Sequence, residues 1–172
     1  METWDLYDKN RQLLKCKIAR GEKLPAGCYH IVVHVCFFSN EGKMLIQHRQ
    51  PFKDGWPNMW DIGVGGSALE GESPQDAAHR ETGEEIGYDM CFDDRRAFVT
   101  SNHGSCFDDF FVVNQDLDIN KLTPQPEEVS ELMWADEAEI LSMIDRGEFV
   151  PYNKSLISFL FSTHDKNTIF DL

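Results

Sequence analysis

Basic residues are scarce in this chain of 172 residues: 16 lysines and arginines stand against 30 aspartates and glutamates, giving a formal charge of −14. A long nucleic-acid backbone is bound by clustered Lys and Arg side chains, so this balance argues against a nucleic-acid polymer as the partner. A small phosphorylated substrate remains compatible with the composition, because a bound metal ion can reverse the local sign of the charge.

Cysteine pairs and long apolar runs are also missing. The five cysteines are odd in number and include no C-x-x-C pair, which argues against a disulfide framework or a zinc knuckle and predicts a reducing, cytoplasmic setting. No apolar run reaches membrane-spanning length and no signal peptide is visible, so we expect no membrane association. The length predicts one domain, and the sequence shows no internal repeat.

The predicted elements comprise a hairpin followed by strands and helices. Two apolar segments, 3–7 and 13–19, flank a polar turn and predict an accessory hairpin over the substrate side or an oligomer interface. We assign residues 1–27 to this extension and residues 28–172 to the main part of the same domain. Strands are predicted over 29–39, 43–50, 59–65, 97–101, 107–113 and 129–134, helices over 74–86, 137–145 and 153–161, and a weakly ordered tail from 163 onward.

The stretch GSALEGESPQDAAHRETGEEIGY, residues 66–88, has the clearest helix signals. Ser73 is a good N-cap, Pro74 suits the first helical position, and Gly87 is a typical stop. On the resulting helix Glu81, Glu84 and Glu85 stand at i, i+3 and i+4, which places three carboxylates on one face. Two interpretations of these carboxylates are open. A divalent ion, Mg²⁺ or Mn²⁺, relieves their mutual repulsion, or the carboxylates form a solvated acidic face paired partly with Arg80.

The spacing of this stretch resembles the signature box of the Nudix hydrolases at every fixed position. The match consists of Gly66, five residues, Glu72, seven residues, and then the run RETGEEIGY. Thr82 and Tyr88 stand where the family usually has aliphatic residues. The resemblance implies an α+β fold, an α/β/α sandwich around a mixed sheet, with a divalent-metal-activated water attacking a small diphosphate-containing substrate.

The resemblance also implies roles for the box residues. Metal binding falls to Glu81, Glu84 and Glu85, with support from Glu72 and the Gly66 backbone. Glu84 and Glu85 also count among the catalytic residues, together with Arg80, whose guanidinium fork suits the holding of carboxylates. For Glu72 the alternative is a simple favourable interaction with the helix dipole.

Further candidates lie outside the box. The family often draws another catalytic acid from a loop ahead of the last core strand, and Glu128 is favoured here over its neighbour Glu127, which we assign to substrate binding. Arg49 and Lys53 are the basic candidates for holding a diphosphate. Each of these four residues could instead be an ordinary surface charge. The family frequently forms dimers, so a homodimer is one arrangement that the resemblance implies.

The segment from His30 to Glu72 also resembles the Nudix-fold isopentenyl diphosphate isomerases. Their catalytic Cys and metal-binding His fall, without gaps, on Gly65 and Ser67, which cannot perform those roles. The sequence therefore predicts a hydrolase acting on a nucleoside diphosphate derivative or a related small diphosphate. Two alternatives remain: an isomerase in which Cys106 replaces the thiol, and a non-catalytic ligand-sensing domain, for which three box glutamates would be unnecessary.

Histidine and aromatic side chains complete the candidates. His30 and His34 face the same side of their strand, where a satisfied hydrogen-bonding role is more common than a functional one. Trp56, Trp60 and Phe107 could stack on a substrate or contact a prenyl group, although packing in the core is the simpler expectation.

Overall fold

The computed structural model describes residues 2–165 and shows a mixed sheet covered by helices on both faces, with a separate N-terminal hairpin. The predicted α+β sandwich is thereby confirmed. The elements in chain order are β1 (Thr3–Tyr7), β2 (Leu13–Ala19), β3 (His30–Phe38), β4 (Met44–Arg49), β5 (Trp60–Ile62), β6 (Val64–Ser67), α1 (Pro74–Ile86), β7 (Val99–His103), β8 (Cys106–Asn114), β9 (Val129–Ala135), α2 (Glu137–Arg146) and α3 (Lys154–Thr163), with a 3₁₀ turn at Ile119–Lys121.

Strand β3 is the centre of the sheet. It runs parallel to β8 from the pair His30–Cys106 to the pair Phe38–Asn114, and antiparallel to β6 on its other edge. Its side chains alternate between two cores: Val33 packs on the side of α1, whereas Cys36 packs on the side of α2 and α3. Burial of both faces explains why the strand is a nearly continuous apolar run.

The predicted single strand over residues 59–65 is wrong: it is divided at Gly63 into β5 and β6. Gly63 has a φ of 30°, and a Cβ at this position would overlap the carbonyl oxygen of Val35. The kink lets the chain change partners, because β5 pairs with β4 while β6 pairs with β3. One glycine in a short apolar segment was too weak a signal to reveal this change.

Two other predicted boundaries shift. The predicted gap between β7 and β8 shrinks to a tight turn in which Gly104 has a φ of 53°. Helix α3 begins one residue late because Asn153 is its N-cap, accepting a hydrogen bond from the Ser155 N–H at 2.9 Å, and it continues to Thr163. The rest of the predicted tail, residues 166–172, lies outside the described residues.

The N-terminal hairpin is attached to the sheet rather than projecting from it. Tyr7 and Tyr29 exchange backbone hydrogen bonds of 2.8 and 2.9 Å. Arg11 in the hairpin turn donates to the buried carboxylate of Asp109 on β8. Leu6 on β1 is 1% exposed, so the hairpin contributes to the core. Across residues 2–165, none of the helices has the length and apolar character needed to cross a membrane.

Candidate active site

Helix α1 begins and ends where its sequence signals predict. The Ser73 hydroxyl accepts from the Asp76 N–H while the Asp76 carboxylate accepts from the Ser73 N–H, which forms a capping box. Gly87 ends the helix in the left-handed conformation, with a φ of 66°. Ala77 and Ala78 are fully buried against the sheet, and this close approach turns the carboxylate-bearing face of the next turns toward β6.

Glu85 is a buried carboxylate, with the residue only 4% exposed. Its Oε2 accepts hydrogen bonds from Gln47 Nε2 and from the Gly65 N–H, both at 3.1 Å. Burial, reinforced by the nearby charge of Glu81, raises the pKa of the Glu85 carboxyl from 4.5 to about 8. The folded protein therefore favours a proton, or another positive charge, at this carboxylate.

Glu81 lies one turn earlier, and its side chain is 13% exposed. Burial raises the pKa of its carboxyl to about 7, although Arg80, whose Nη1 lies 2.8 Å from Glu81 Oε1, pulls in the opposite direction. A Cβ at Gly66 would overlap the Glu81 carboxylate. Glycine at this position therefore lets β6 and the glutamate approach each other closely.

Arg80 holds the box glutamates together. Its Nε and Nη2 donate to the two carboxylate oxygens of Glu72 at 2.7 and 3.0 Å, and Nη1 donates to Glu84 Oε2 at 3.0 Å. Nη2 also donates to the Ser67 carbonyl at 3.1 Å. Glu84 itself is 54% exposed, so it is the most accessible of the three helical glutamates. Arg80 thus links α1 to the loop before it and to β6.

The donor set suits a hard divalent cation. Two buried like-charged carboxylates, with a third accessible one on the same helix face, are oxygen ligands of the kind that Mg²⁺ and Mn²⁺ prefer. Within residues 2–165 no three Asp, Glu, His or Cys side chains converge closely enough to enclose an ion as they stand. The guanidinium of Arg80 binds oxygens of both Glu81 and Glu84 in this arrangement.

The predicted basic residues line the same cavity as the glutamates of this helix. Lys53 Nζ forms an ion pair with Glu128, and the two side chains are 17% and 28% exposed. Arg49 Nη1 donates to Asp61 at 3.3 Å, and its Nε donates to the Gly55 carbonyl at 3.0 Å. Both cations are therefore fixed by hydrogen bonds while they line the cavity.

The cavity encloses about 760 Å³ and contains residues that sequence reasoning did not single out or did not favour. Asp61 accepts from the Tyr152 hydroxyl at 2.8 Å, and burial raises the pKa of its carboxyl despite Arg49. His34 Nε2 lies 3.1 Å from Asp108 Oδ1, and its ring stacks on Phe110 with centroids 4.5 Å apart. For His34, the sequence signal was the strand alternation that places it on one face with His30.

Trp56 is not a core residue. It is 51% exposed, lines the cavity and has a φ of 49°, a conformation that is costly for a bulky side chain. Trp60 packs partly buried against the α2 and α3 core, and Phe107 is 5% exposed in the other core. Of the three aromatic candidates, only Trp56 is available to a ligand.

Several predicted residues lie outside the cavity lining. Glu72 and Arg80 stand behind the helical glutamates, and Glu127 is exposed away from the cavity, unlike its neighbour Glu128. Cys106 is also outside: its sulfur lies 3.2 Å from His30 Nε2, and burial raises the pKa of the thiol. The thiol therefore lies outside the cavity that contains the α1 carboxylates, and this position does not fit the isomerase alternative.

The chain belongs to the Nudix family, since the NUDIX domain model matches residues 29–157. It is 40% identical over 169 residues to an uncharacterized Nudix hydrolase of Listeria innocua, an alignment that covers 98% of this chain and 99% of the relative. Family membership and the similarity to a relative named as a Nudix hydrolase indicate a pyrophosphohydrolase, and Nudix hydrolases generally use divalent metals.

Two further similarities concern the isomerase resemblance and the fold. An isopentenyl-diphosphate Delta-isomerase of Escherichia coli is 28% identical over 133 residues, covering 72% of this chain and 73% of the relative, which confirms the weaker isomerase resemblance. The crystal structure of DR0079 from Deinococcus radiodurans superposes with a TM-score of 0.74 at 24% identity, covering 91% of this chain and 98% of that one. The latter likeness supports the fold.

Proposed function

We propose that the protein is a divalent-metal-dependent hydrolase that cleaves the diphosphate linkage of a nucleoside diphosphate derivative. The observation that carries the proposal is the meeting of two opposite kinds of charge in one cavity. Glu81 and Glu85, both largely buried on α1, share this cavity with Arg49 and Lys53. Carboxylates at such a site suit a metal ion, and fixed cations suit phosphate oxygens.

The residues divide into a metal-holding group and a proton-handling group. Glu81, Glu84 and Glu85 would hold Mg²⁺ or Mn²⁺, with Glu72 acting through Arg80 and the Gly66 backbone adjoining Glu81. When bound, the metal lowers the pKa of a coordinated water and neutralises charge on the phosphate oxygens.

Glu128 is the proposed acceptor of the proton from the attacking water, because it lines the cavity and lies near enough to Glu85 for its charge to raise the pKa of that carboxyl. Its ion pair with Lys53 fixes the direction of the carboxylate. Lys53 can exchange this partner for a phosphate oxygen, and Arg49 keeps unused guanidinium donors while Asp61 and Gly55 hold its orientation.

The size and lining of the cavity favour a nucleoside as the group carried by the diphosphate. A volume of about 760 Å³ lies within the range of roughly 300–1,000 Å³ usual for small-molecule sites. Trp56 offers an exposed aromatic face beside the two cations, on which a nucleobase can stack. Asp61, Asp108 and His34 offer hydrogen-bonding groups to ribose hydroxyls, beside apolar lining residues such as Val32, Phe110 and Leu156.

Hydrolysis of a panel of diphosphates with Mg²⁺ or Mn²⁺ tests the proposal. The panel contains nucleoside diphosphate sugars, dinucleotides, nucleoside di- and triphosphates and isopentenyl diphosphate, with isomerisation monitored in parallel. We expect turnover of a nucleoside-containing class that falls by about 10³-fold or more in Glu85→Gln. Glu131→Gln, which neutralises an exposed glutamate outside the cavity, is the matched control and should retain activity.

Other outcomes would select the alternatives. Isomerisation of isopentenyl diphosphate would overturn the proposed reaction, and metal-dependent binding without turnover of any panel member would favour a sensing domain. The cytoplasmic location stays part of the proposal, since the five cysteines, all between residues 2 and 165, are free thiols.

A further inference from the structure

The N-terminal hairpin reaches the catalytic cavity although it lies outside the part of the chain that matches the family model. Its two strands end side by side, with Thr3 paired to Ala19 and the Arg20 N–H donating to the Glu2 carbonyl at 3.0 Å. Glu2 and Arg20 at this open end line the same cavity as the glutamates of α1. The hairpin therefore supplies part of the wall around the proposed substrate.

We propose that Arg20 is a substrate-binding residue whose guanidinium contacts the phosphate groups of the substrate, so that the hairpin completes the active site. This inference rests on the proposed function, because it assumes that a diphosphate occupies the cavity. It goes beyond that function by assigning a specificity role to a segment that precedes the matched domain.

The attachment of the hairpin explains how an exposed residue can be positioned for binding. Glu70, just before α1, accepts a hydrogen bond from the Thr3 hydroxyl at 2.8 Å, and its N–H donates to the Thr3 carbonyl at 2.8 Å. The Gly71 N–H donates to Asp5 Oδ2 at 2.7 Å. These bonds connect β1 to the loop that leads into the metal-binding helix, so the position of Arg20 is coupled to that of the glutamates.

Arg20 is also the most available cation of the cavity wall. Arg49 and Lys53 are each only 17% exposed, and each is held by a carboxylate that is itself largely buried, Asp61 and Glu128 respectively. Arg20 is 59% exposed and pairs with Glu2, which is 48% exposed. An exposed ion pair of this kind contributes little stability, so a phosphate group can displace the Glu2 carboxylate at small cost.

The electrostatic surroundings agree with this assignment. The hydrogen bond to Glu2 is the main cause that raises the pKa of the Arg20 guanidinium, and the charges of Glu128 and Glu81 contribute in the same direction. Arg20 thus lies within electrostatic range of the catalytic carboxylates. A guanidinium there can bind a phosphate in a bidentate manner, which an ammonium group cannot do.

The simpler explanation is that Arg20 only closes the open end of the hairpin, and Lys17 offers a matched control for it. Lys17 lies on β2, three residues before Arg20, and forms an ion pair of 2.6 Å with Glu70, with side chains that are 56% and 43% exposed. The Arg20–Glu2 pair has the same distance of 2.6 Å. Lys17 lies outside the cavity lining.

The experiment compares Arg20→Gln, Arg20→Lys and Lys17→Gln with the wild-type protein. Binding of inorganic pyrophosphate in the presence of Mg²⁺ is measured by titration calorimetry, and KM and kcat are measured for the best substrate of the panel. We expect Arg20→Gln to weaken pyrophosphate binding and to raise KM by about tenfold, with kcat within about twofold of wild type. Arg20→Lys should recover part of the affinity, and Lys17→Gln should bind like wild type.

Two results would overturn the assignment. Unchanged pyrophosphate affinity and KM in Arg20→Gln would show that its guanidinium makes no contact with the substrate. An equal weakening in Arg20→Gln and Lys17→Gln would show that hairpin stability or overall charge is responsible. Because the calorimetric readout needs no turnover, failure of the proposed hydrolysis in the wild-type protein is distinguishable from failure of the Arg20 assignment.

Discussion

The buried carboxyl of Glu85 makes the stability of the metal-free protein depend on pH. Its pKa is raised from 4.5 to about 8 in the folded state, so between these values the folded chain holds a proton that the unfolded chain has lost. Stability must therefore fall as the pH rises through this window. Each pH unit contributes about 1.4 kcal/mol, and the loss accumulated between pH 4.5 and pH 7.5 is about 4 kcal/mol.

Glu85→Gln should remove this loss, because glutamine is a neutral group of the same shape as the protonated carboxyl. Its side-chain oxygen can still accept from Gln47 and from the Gly65 N–H. With EDTA present, we expect the variant to be about 4 kcal/mol more stable than wild type at pH 7.5, which corresponds to roughly 8–16 °C in Tm. At pH 5 the difference should shrink to below about 1 kcal/mol.

Urea and thermal unfolding in EDTA at the two pH values measure this difference. Glu84→Gln is the control: the Glu84 side chain is 54% exposed and pairs with Arg80 at the surface, so its removal should change stability by less than about 1 kcal/mol. Addition of Mg²⁺ should stabilise the wild-type protein more than Glu85→Gln. The reasoning is refuted if Glu85→Gln is no more stable than wild type at pH 7.5, or if its advantage is the same at both pH values.

Three further substitutions test other contacts. Gly66→Ala should reduce hydrolysis by about 10²-fold or more, since the added Cβ would displace the Glu81 carboxylate; near-normal kcat would contradict this. Arg11→Ala should cost about 2–4 kcal/mol in urea unfolding, because it leaves the Asp109 carboxylate buried without its cation, and a loss below 1 kcal/mol would argue against that role. Trp56→Ala should raise KM for nucleoside-containing substrates by about tenfold without raising KM for substrates that lack a base; an unchanged KM would exclude stacking on this side chain.

The box helix shows how much local signals can predict. Ser73 and Gly87 delimit α1 at the predicted residues, because a cap bonds to backbone groups only a few positions away. The common face of Glu81 and Glu85 likewise follows from the 3.6-residue repeat alone. The prediction that Arg80 holds the glutamates agrees with its contacts to Glu72, Glu81 and Glu84.

The division at Gly63 and the exposure of Trp56 could not be predicted in this way. A strand changes partners where a new neighbouring strand becomes available in the sheet, and the strand's own sequence does not specify this point. At Gly63 the change depends on the close approach of the β3 backbone. Trp56 is a large aromatic residue of a type often buried in cores, and only the path of its loop exposes it. Burial is a property of the whole chain, so a residue type carries no more than a tendency toward it.

The sequence by itself determined most of the elements, the family and the carboxylate-bearing face of α1, because these depend on residues within about one helical turn or on fixed spacing. Only the tertiary structure decided which other side chains meet those carboxylates. Arg20 comes from the hairpin and Asp61 from a short strand, and both reach the cavity through strand pairing. Such pairing joins residues far apart in the chain, and its register depends on the summed packing of the whole sheet.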